Sequence, residues 1–149
     1  MPNIGTFADD VKIVQAITIT AGAAGTTAIN GTAIDMSGYE RCLFVVQFGA
    51  IVGGVVTSIK VQQDIAVGMA SAADLAGTGQ TVADTDDDKV FYIDIQKPRE
   101  DFVRLVVSRA TQNATCSAMA YLYGARQKPV THGTNVAGES HYAPAEGAA

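Results

Sequence analysis

Apolar and polar residues alternate with a period of two along much of this chain, and no sustained helical period appears. Between Val11 and Thr20, Ile13, Ile17 and Ile19 fall on one parity and Lys12, Thr18 and Thr20 on the other, the pattern of a strand with one face buried. Residues 55–63 set Val55, Ile59 and Val61 against Val56, Ser58, Lys60 and Gln62. Lys89 to Gln96 sets Phe91, Ile93 and Ile95 against Tyr92, Asp94 and Gln96, and Phe102 to Arg109 sets Val103, Leu105 and Val107 against Arg104 and Ser108. In Ala114 to Tyr123 the small and apolar Ala114, Cys116, Ala118, Ala120 and Leu122 oppose Thr115, Ser117, Met119, Tyr121 and Tyr123. Arg41 to Phe48 is apolar on both parities, as expected of a central strand covered on each side or meeting a partner subunit.

Turn signals separate these runs. Gly22 and Gly25 break the first, and Asn30-Gly31 predicts a tight turn with both central residues at positive φ. Gly53-Gly54 and Pro98 mark two more turns. Residues 64–88, rich in Ala, Gly and Asp, predict a long connection from one sheet to another, with Ser71 to Ala76 its only short helical turn. Seven or eight short strands without helical periods predict an all-β fold, a two-sheet sandwich or jelly roll, with a closed barrel as the alternative. The expected organisation is one β-sandwich domain over residues 1–126 and an extended or disordered C-terminal tail over 127–149. In that tail the periodicity ends, and its composition buries too little apolar surface to offset ordering without a partner.

Composition supports the strand reading. Of 149 residues 48% are hydrophobic, mostly Ala, Val and Ile, and β-branched side chains sit more easily on a pleated surface than in a helix. The formal net charge of −5 argues against nucleic acid, whose affinity comes from neutralised phosphates. Lys97, Arg99, Arg104 and Arg109 are interleaved with Glu100 and Asp101 and make no basic patch. Cys42 and Cys116 lie in apolar runs and read as buried free thiols, with a bridge between neighbouring strands as the alternative. The N-terminus lacks a basic region followed by an apolar run, and the most apolar stretch, residues 42–56, is shorter than the roughly 20 residues that span a bilayer. A protein made in a cytoplasm, with no membrane partner, is the expectation.

Catalytic patterns are poorly supplied. The run Asp84, Asp86, Asp87 and Asp88 opens like a calcium loop, but Lys89 stands where Gly is needed and Ile95 where a bidentate Glu is needed, so a solvated turn is the reading. His132 and His141 both fall in the tail, where no rigid nucleophile–base pair is expected. The glycine-rich pieces lack a following Lys-Ser or Lys-Thr and read as turns rather than phosphate cradles. No enzyme, cofactor or metal is expected. What remains is interaction surface: Phe44 and Val46 from the two-sided run, Met119, Tyr121 and Tyr123 from the last strand, and Tyr142 and Pro144 from the tail are the candidate oligomer or partner-interface residues.

The stretch Val90 to Arg109, preceded by Asp74 to Gly79 and followed by residues 113–115 and Ala120 to Gly124, resembles small β-rich virion proteins of tailed bacteriophages, the capsid decoration or cement proteins. The resemblance covers roughly residues 8–130 and is one of pattern and composition. It implies a jelly roll or related sandwich, commonly a homotrimer, that binds the major capsid protein on the outer capsid surface where capsomers meet and stabilises the shell. It carries over no residue-level site. A carbohydrate- or receptor-binding β module of a phage head fibre or tail is the alternative, and a concave site lined by convergent polar and aromatic groups would distinguish it.

Overall fold

The computed structural model describes residues 5–20, 27–51, 57–109, 114–143 and 145–148. One helical turn, α1 (Phe7–Asp10), precedes ten strands: β1 (Lys12–Thr20), β2 (Ile29–Asn30), β3 (Ile34–Asp35), β4 (Arg41–Ile51), β5 (Thr57–Asp64), β6 (Ala73–Asp74), β7 (Gln80–Val82), β8 (Val90–Gln96), β9 (Phe102–Ser108) and β10 (Ala114–Tyr123). They form two antiparallel sheets. The front sheet runs β1-β10-β4-β8; the back sheet runs β2-β9-β5-β6, with β3 also on β9 and β7 also on β5.

The pairing is nested. The first strand pairs with the last, β2 and β3 with β9, β4 with β8, and β5 with the β6 and β7 pieces. That order, with both sheets facing one core, is a jelly-roll sandwich. The core lies between the sheets, filled from β4 by Cys42, Phe44, Val46 and Phe48, from β10 by Cys116, Ala118, Ala120 and Leu122, and from the back sheet by Ile59, Val61, Val103, Leu105 and Val107. Phe48 meets Phe91 edge to face at 5.7 Å.

The alternation predicted for β5, β8, β9 and β10 holds over the described residues: Ile59, Val61, Ile93, Ile95, Val103, Leu105, Val107, Cys116, Ala118, Ala120 and Leu122 are buried. β4 is a central strand as expected, between β10 and β8. Three local expectations are corrected. In β1 the ladder to β10 slips between Gln15 and Ile17 and again before Thr20, so Ile13 stands opposite Tyr121 on the outer face while Val14 stands opposite the buried Ala120. A bulge changes which parity faces inward. Asn30-Gly31 makes no hairpin turn: the Gly31 N–H donates to the Leu105 carbonyl at 2.7 Å and the Thr32 N–H to the Ala16 carbonyl at 2.8 Å, joining both sheets through one short segment. A Cβ on Gly31 would stand 2.7 Å from the Leu105 oxygen and 2.9 Å from the Ala16 oxygen, so glycine is required for close approach and not for positive φ.

The segment expected to turn helically at residues 71–76 contains β6 instead. The buried Asp64 carboxylate accepts from the Ala66 N–H at 3.0 Å and the Ser71 N–H at 2.8 Å, turning the chain back along β5. Asp74 then takes Lys60 Nζ at 2.8 Å and Gln62 Nε2 at 2.7 Å across the ladder. The crossing to the front sheet comes only after β7. Gly22, Gly25, Gly53, Gly54, Val55 and Val56 lie outside the described residues.

Candidate functional site

Because β1, β10, β4 and β8 are in register, their outward side chains form rows across the front sheet. One row reads Gln15, Met119, Val45, Tyr92, and the next Ile13, Tyr121, Leu43, Asp94. Side chains directly opposed in each row are close enough to cover one another, and Met119, Tyr121, Leu43 and Val45 are each half-buried, while Tyr92 is 67% exposed at the sheet's margin. Phe7 of α1, itself largely exposed, packs edge-on to Tyr121 at 6.1 Å. The result is a mainly apolar band of outward side chains across the sheet.

A polar cluster bounds the band. Tyr123 lies opposite Arg41, whose guanidinium sits 5.8 Å from the ring centre, and the Tyr123 hydroxyl donates to the Asp94 carboxylate at 2.7 Å. Burial, followed by the hydrogen bond to Asp94, holds the Tyr123 phenol above its ordinary range. It stays a neutral donor at physiological pH.

Of the sequence-predicted interface residues, Met119, Tyr121 and Tyr123 share this outer face. Phe44 and Val46 do not: both are fully buried between the sheets. The parity was legible, since Arg41 and Gln47 are odd-numbered and mark the odd side of β4 as the outer one, bringing Leu43 and Val45 to the surface. Tyr92 was visible as the polar-parity aromatic of its strand, whereas no sequence signal places Phe7 on Tyr121. Tyr142 is 99% exposed and lines a groove with Thr6, Asp9 and Lys128 beside α1; Pro144 lies outside the described residues.

The tail is without regular structure from Gln127 on, yet its first part is held by its own chain. The Val130 N–H donates to the Asp9 carbonyl at 2.9 Å, and Lys128 pairs with Asp10 at 3.0 Å. His132, expected to be loosely held, is fixed by two hydrogen bonds: Nδ1 accepts from the Ile13 N–H at 3.2 Å, which leaves the proton on Nε2 to donate to the Ala8 carbonyl at 3.0 Å. An edge strand with an unpaired N–H supplies what the imidazole needs.

The remaining polar chemistry is structural. Asp86 accepts from the Ala83 N–H at 2.8 Å and pairs with Lys89, while Asp87 accepts from the Ile51 N–H at 2.7 Å, so two carboxylates of the acidic run tie a turn. Among the described residues no group of three or more His, Cys, Asp or Glu is placed to hold a metal, and no helix is long and apolar enough to cross a membrane. Cys42 lies opposite Leu122 and Cys116 opposite Phe48, six positions apart on the same ladder, or roughly 20 Å at the strand rise. They cannot bridge. An open groove of about 440 Å³ at one end of the sandwich is lined by Tyr39, Glu40, Lys97, Arg99, Asp101 and Arg126 among others.

No family model matches the chain, and no curated protein matches it. Among solved structures it is similar to one described under "Bacillus endospore appendages form a novel family of disulfide-linked pili", at 17% identity and a TM-score of 0.44, covering 83% of this chain and 97% of that one. It is also similar to one described as "CBM4 structure and function", at 14% identity and a TM-score of 0.33, covering 76% and 83%. What the two share with this chain is a β-rich build.

Proposed function

We propose that this chain is a non-catalytic structural protein that binds the outer surface of a phage capsid at capsomer junctions, as a homotrimer, and stabilises the shell. The observation that carries the reading is the apolar band of Ile13, Leu43, Val45, Met119 and Tyr121, continued by Tyr92 and Phe7 and bounded by the Arg41–Tyr123–Asp94 cluster. A band on the outer face of a sheet with an apolar centre and a polar border has the anatomy of a protein contact. The jelly-roll pairing and the sequence resemblance to decoration proteins point the same way.

The test is to add the purified chain to shells stripped of their surface proteins and measure occupancy and heat resistance. Met119→Lys and Val45→Lys, both outward, should abolish binding while leaving the melting temperature close to that of the parent chain. Shells filled equally well by both variants would show that this face is not the contact.

A second reading, glycan or receptor binding, is favoured by the groove at the sandwich end, where half-buried Tyr39 stands among Glu40, Lys97, Arg99 and Arg126. Saccharide-dependent shifts of the Tyr39 ring signals, absent in Arg126→Ala, would support it. Binding that survives both Tyr39→Ala and Arg126→Ala would exclude this groove.

A further inference from the structure

A two-sheet sandwich has open edges, and each edge strand carries backbone N–H and C=O groups that another chain can pair with. Three of the edges here are blunted. The back sheet ends in pieces of two or three residues, β2 and β3 on one side and β6 and β7 on the other. The β1 edge of the front sheet is bent by two register shifts, and two of its backbone groups are taken: the Ile13 N–H by His132 and the Ala16 carbonyl by the Thr32 N–H.

β8 is less protected: among its outward groups the Tyr92 carbonyl accepts from the Gln80 side-chain amide, but the strand is neither short nor bent. It is seven residues long, it carries neither Pro nor Lys, and its ladder to β4 runs without a shift from Gln47–Val90 to Arg41–Gln96. The Lys97 N–H donates to the Glu40 carbonyl and the Phe48 N–H to the Lys89 carbonyl. By the alternation of an antiparallel ladder, Phe91, Ile93 and Ile95 exchange bonds with β4, while Val90, Tyr92, Asp94 and Gln96 turn their backbone groups outward. The Gln80 side-chain amide donates to the Tyr92 carbonyl at 3.0 Å from that outer side, which agrees with the assignment. Among the described residues no strand pairs with this edge.

We propose that β8 is the pairing edge of the molecule and that its occupant is β8 of a second copy, antiparallel to it about a two-fold axis at Ile93. Ile93 is the midpoint of Val90–Gln96, so this register uses the whole strand. It sets Tyr92 opposite the second copy's Asp94 and Val90 opposite its Gln96 on the outer face, and Phe91 opposite its Ile95 on the core face. On the core face apolar meets apolar, on the outer face a phenol meets a carboxylate, and no like charges are opposed. On the inner face of β8, Phe91 is only half-buried, where Phe44 and Val46 on neighbouring β4 are at 0%.

An isologous contact of this kind closes at two copies. It goes beyond the shell reading and does not depend on it: the shell contact uses the outer face of the front sheet and this one the backbone edge of β8, with Tyr92 and Asp94 at the border of both, while Val90 and Gln96 belong to the edge contact alone.

The experiment is sedimentation velocity on the full chain across micromolar concentrations, with hydrogen exchange read at residues 90–96. The parent should associate in multiples of two, with its Tyr92 and Asp94 amides protected in the associated form. Tyr92→Pro removes one outward N–H without touching the ladder to β4. Val90→Lys with Gln96→Lys places lysines opposite one another across the axis at two exposed positions, and keeps the test decisive if the proline variant folds poorly. Each should weaken the even-numbered association at least about tenfold. A parent that stays monomeric, a trimer that neither change affects, or Tyr92 and Asp94 amides that become protected only when stripped shells are added would each overturn the two-copy assignment, the last by giving the edge to a shell segment.

Discussion

The imidazole of His132 accepts the backbone N–H of Ile13 at 3.2 Å, so a side chain near the end of the sequence satisfies the edge of its first strand. The contact makes the start of the tail part of the folded domain, with Val130 on Asp9 and Lys128 on Asp10 beside it.

His132→Ala should therefore destabilise the chain by about 1 kcal/mol, the usual net worth of a hydrogen bond whose loss strands a part-buried donor. Urea titration measures the loss, and the Ile13 amide should exchange faster in the variant. Truncation after Arg126 should lower the melting temperature too. Unchanged stability in both would mean that these contacts add nothing to the fold.

Asp64 gives a pH signature. The Ala66 N–H foremost, with the Ser71 N–H behind it, holds its carboxyl below the ordinary range against the opposing effect of burial. A carboxylate lowered in this way stabilises the fold fully above its unfolded value, about 3.9, and that stability is lost as pH falls through the lower folded value. Asp64→Asn should melt below the parent at neutral pH, and the gap should narrow as the pH drops below about 4. A gap that is constant with pH would rule the linkage out.

The two thiols should be inert in the native protein. Burial, followed by the nearby Asp94 charge, pushes Cys42 up to about 12, and Cys116 is buried as well. A thiol reagent should label neither until denaturant is added, and both should then react. Rapid labelling of either in native buffer would contradict this packing.

Thr57 is a site for stabilisation. It is fully buried at the head of β5, and its hydroxyl has no hydrogen-bond partner among the described residues. Thr57→Val replaces that hydroxyl with a methyl of similar size, and should raise stability by about 1 kcal/mol in thermal or urea unfolding. A loss of stability would show that the hydroxyl is satisfied.

Alternation was legible where a strand is polar on one parity and its ladder runs without interruption. Ile93 and Ile95, Val103 and Leu105, and Cys116 to Leu122 lie on the buried side that their spacing indicates. It failed at Ile13, because the bulges of β1 are set by partners that one strand's sequence does not contain. It failed at Phe44 and Val46 because both parities of β4 are apolar, and only Arg41 and Gln47 distinguish them. Residues 71–76 have a helix-compatible composition, and the carboxylates of Asp64 and Asp74 override it through contacts across the turn. Asn30-Gly31 carries a turn composition for a different physical need, the absence of a side chain between two carbonyl oxygens.

The nested pairing also governs the order in which the chain can become structured during synthesis. β1 is made first, but its partner β10 is made nearly last, so Lys12 to Thr20 has no ladder until Ala114 to Tyr123 has left the ribosome. β5, in contrast, ends at Asp64 and meets β6 from Ala73 and β7 from Gln80, 9 and 16 positions later. Closure of the front sheet waits for β10, and until then the apolar residues of β1 remain available to whatever else is in the cell.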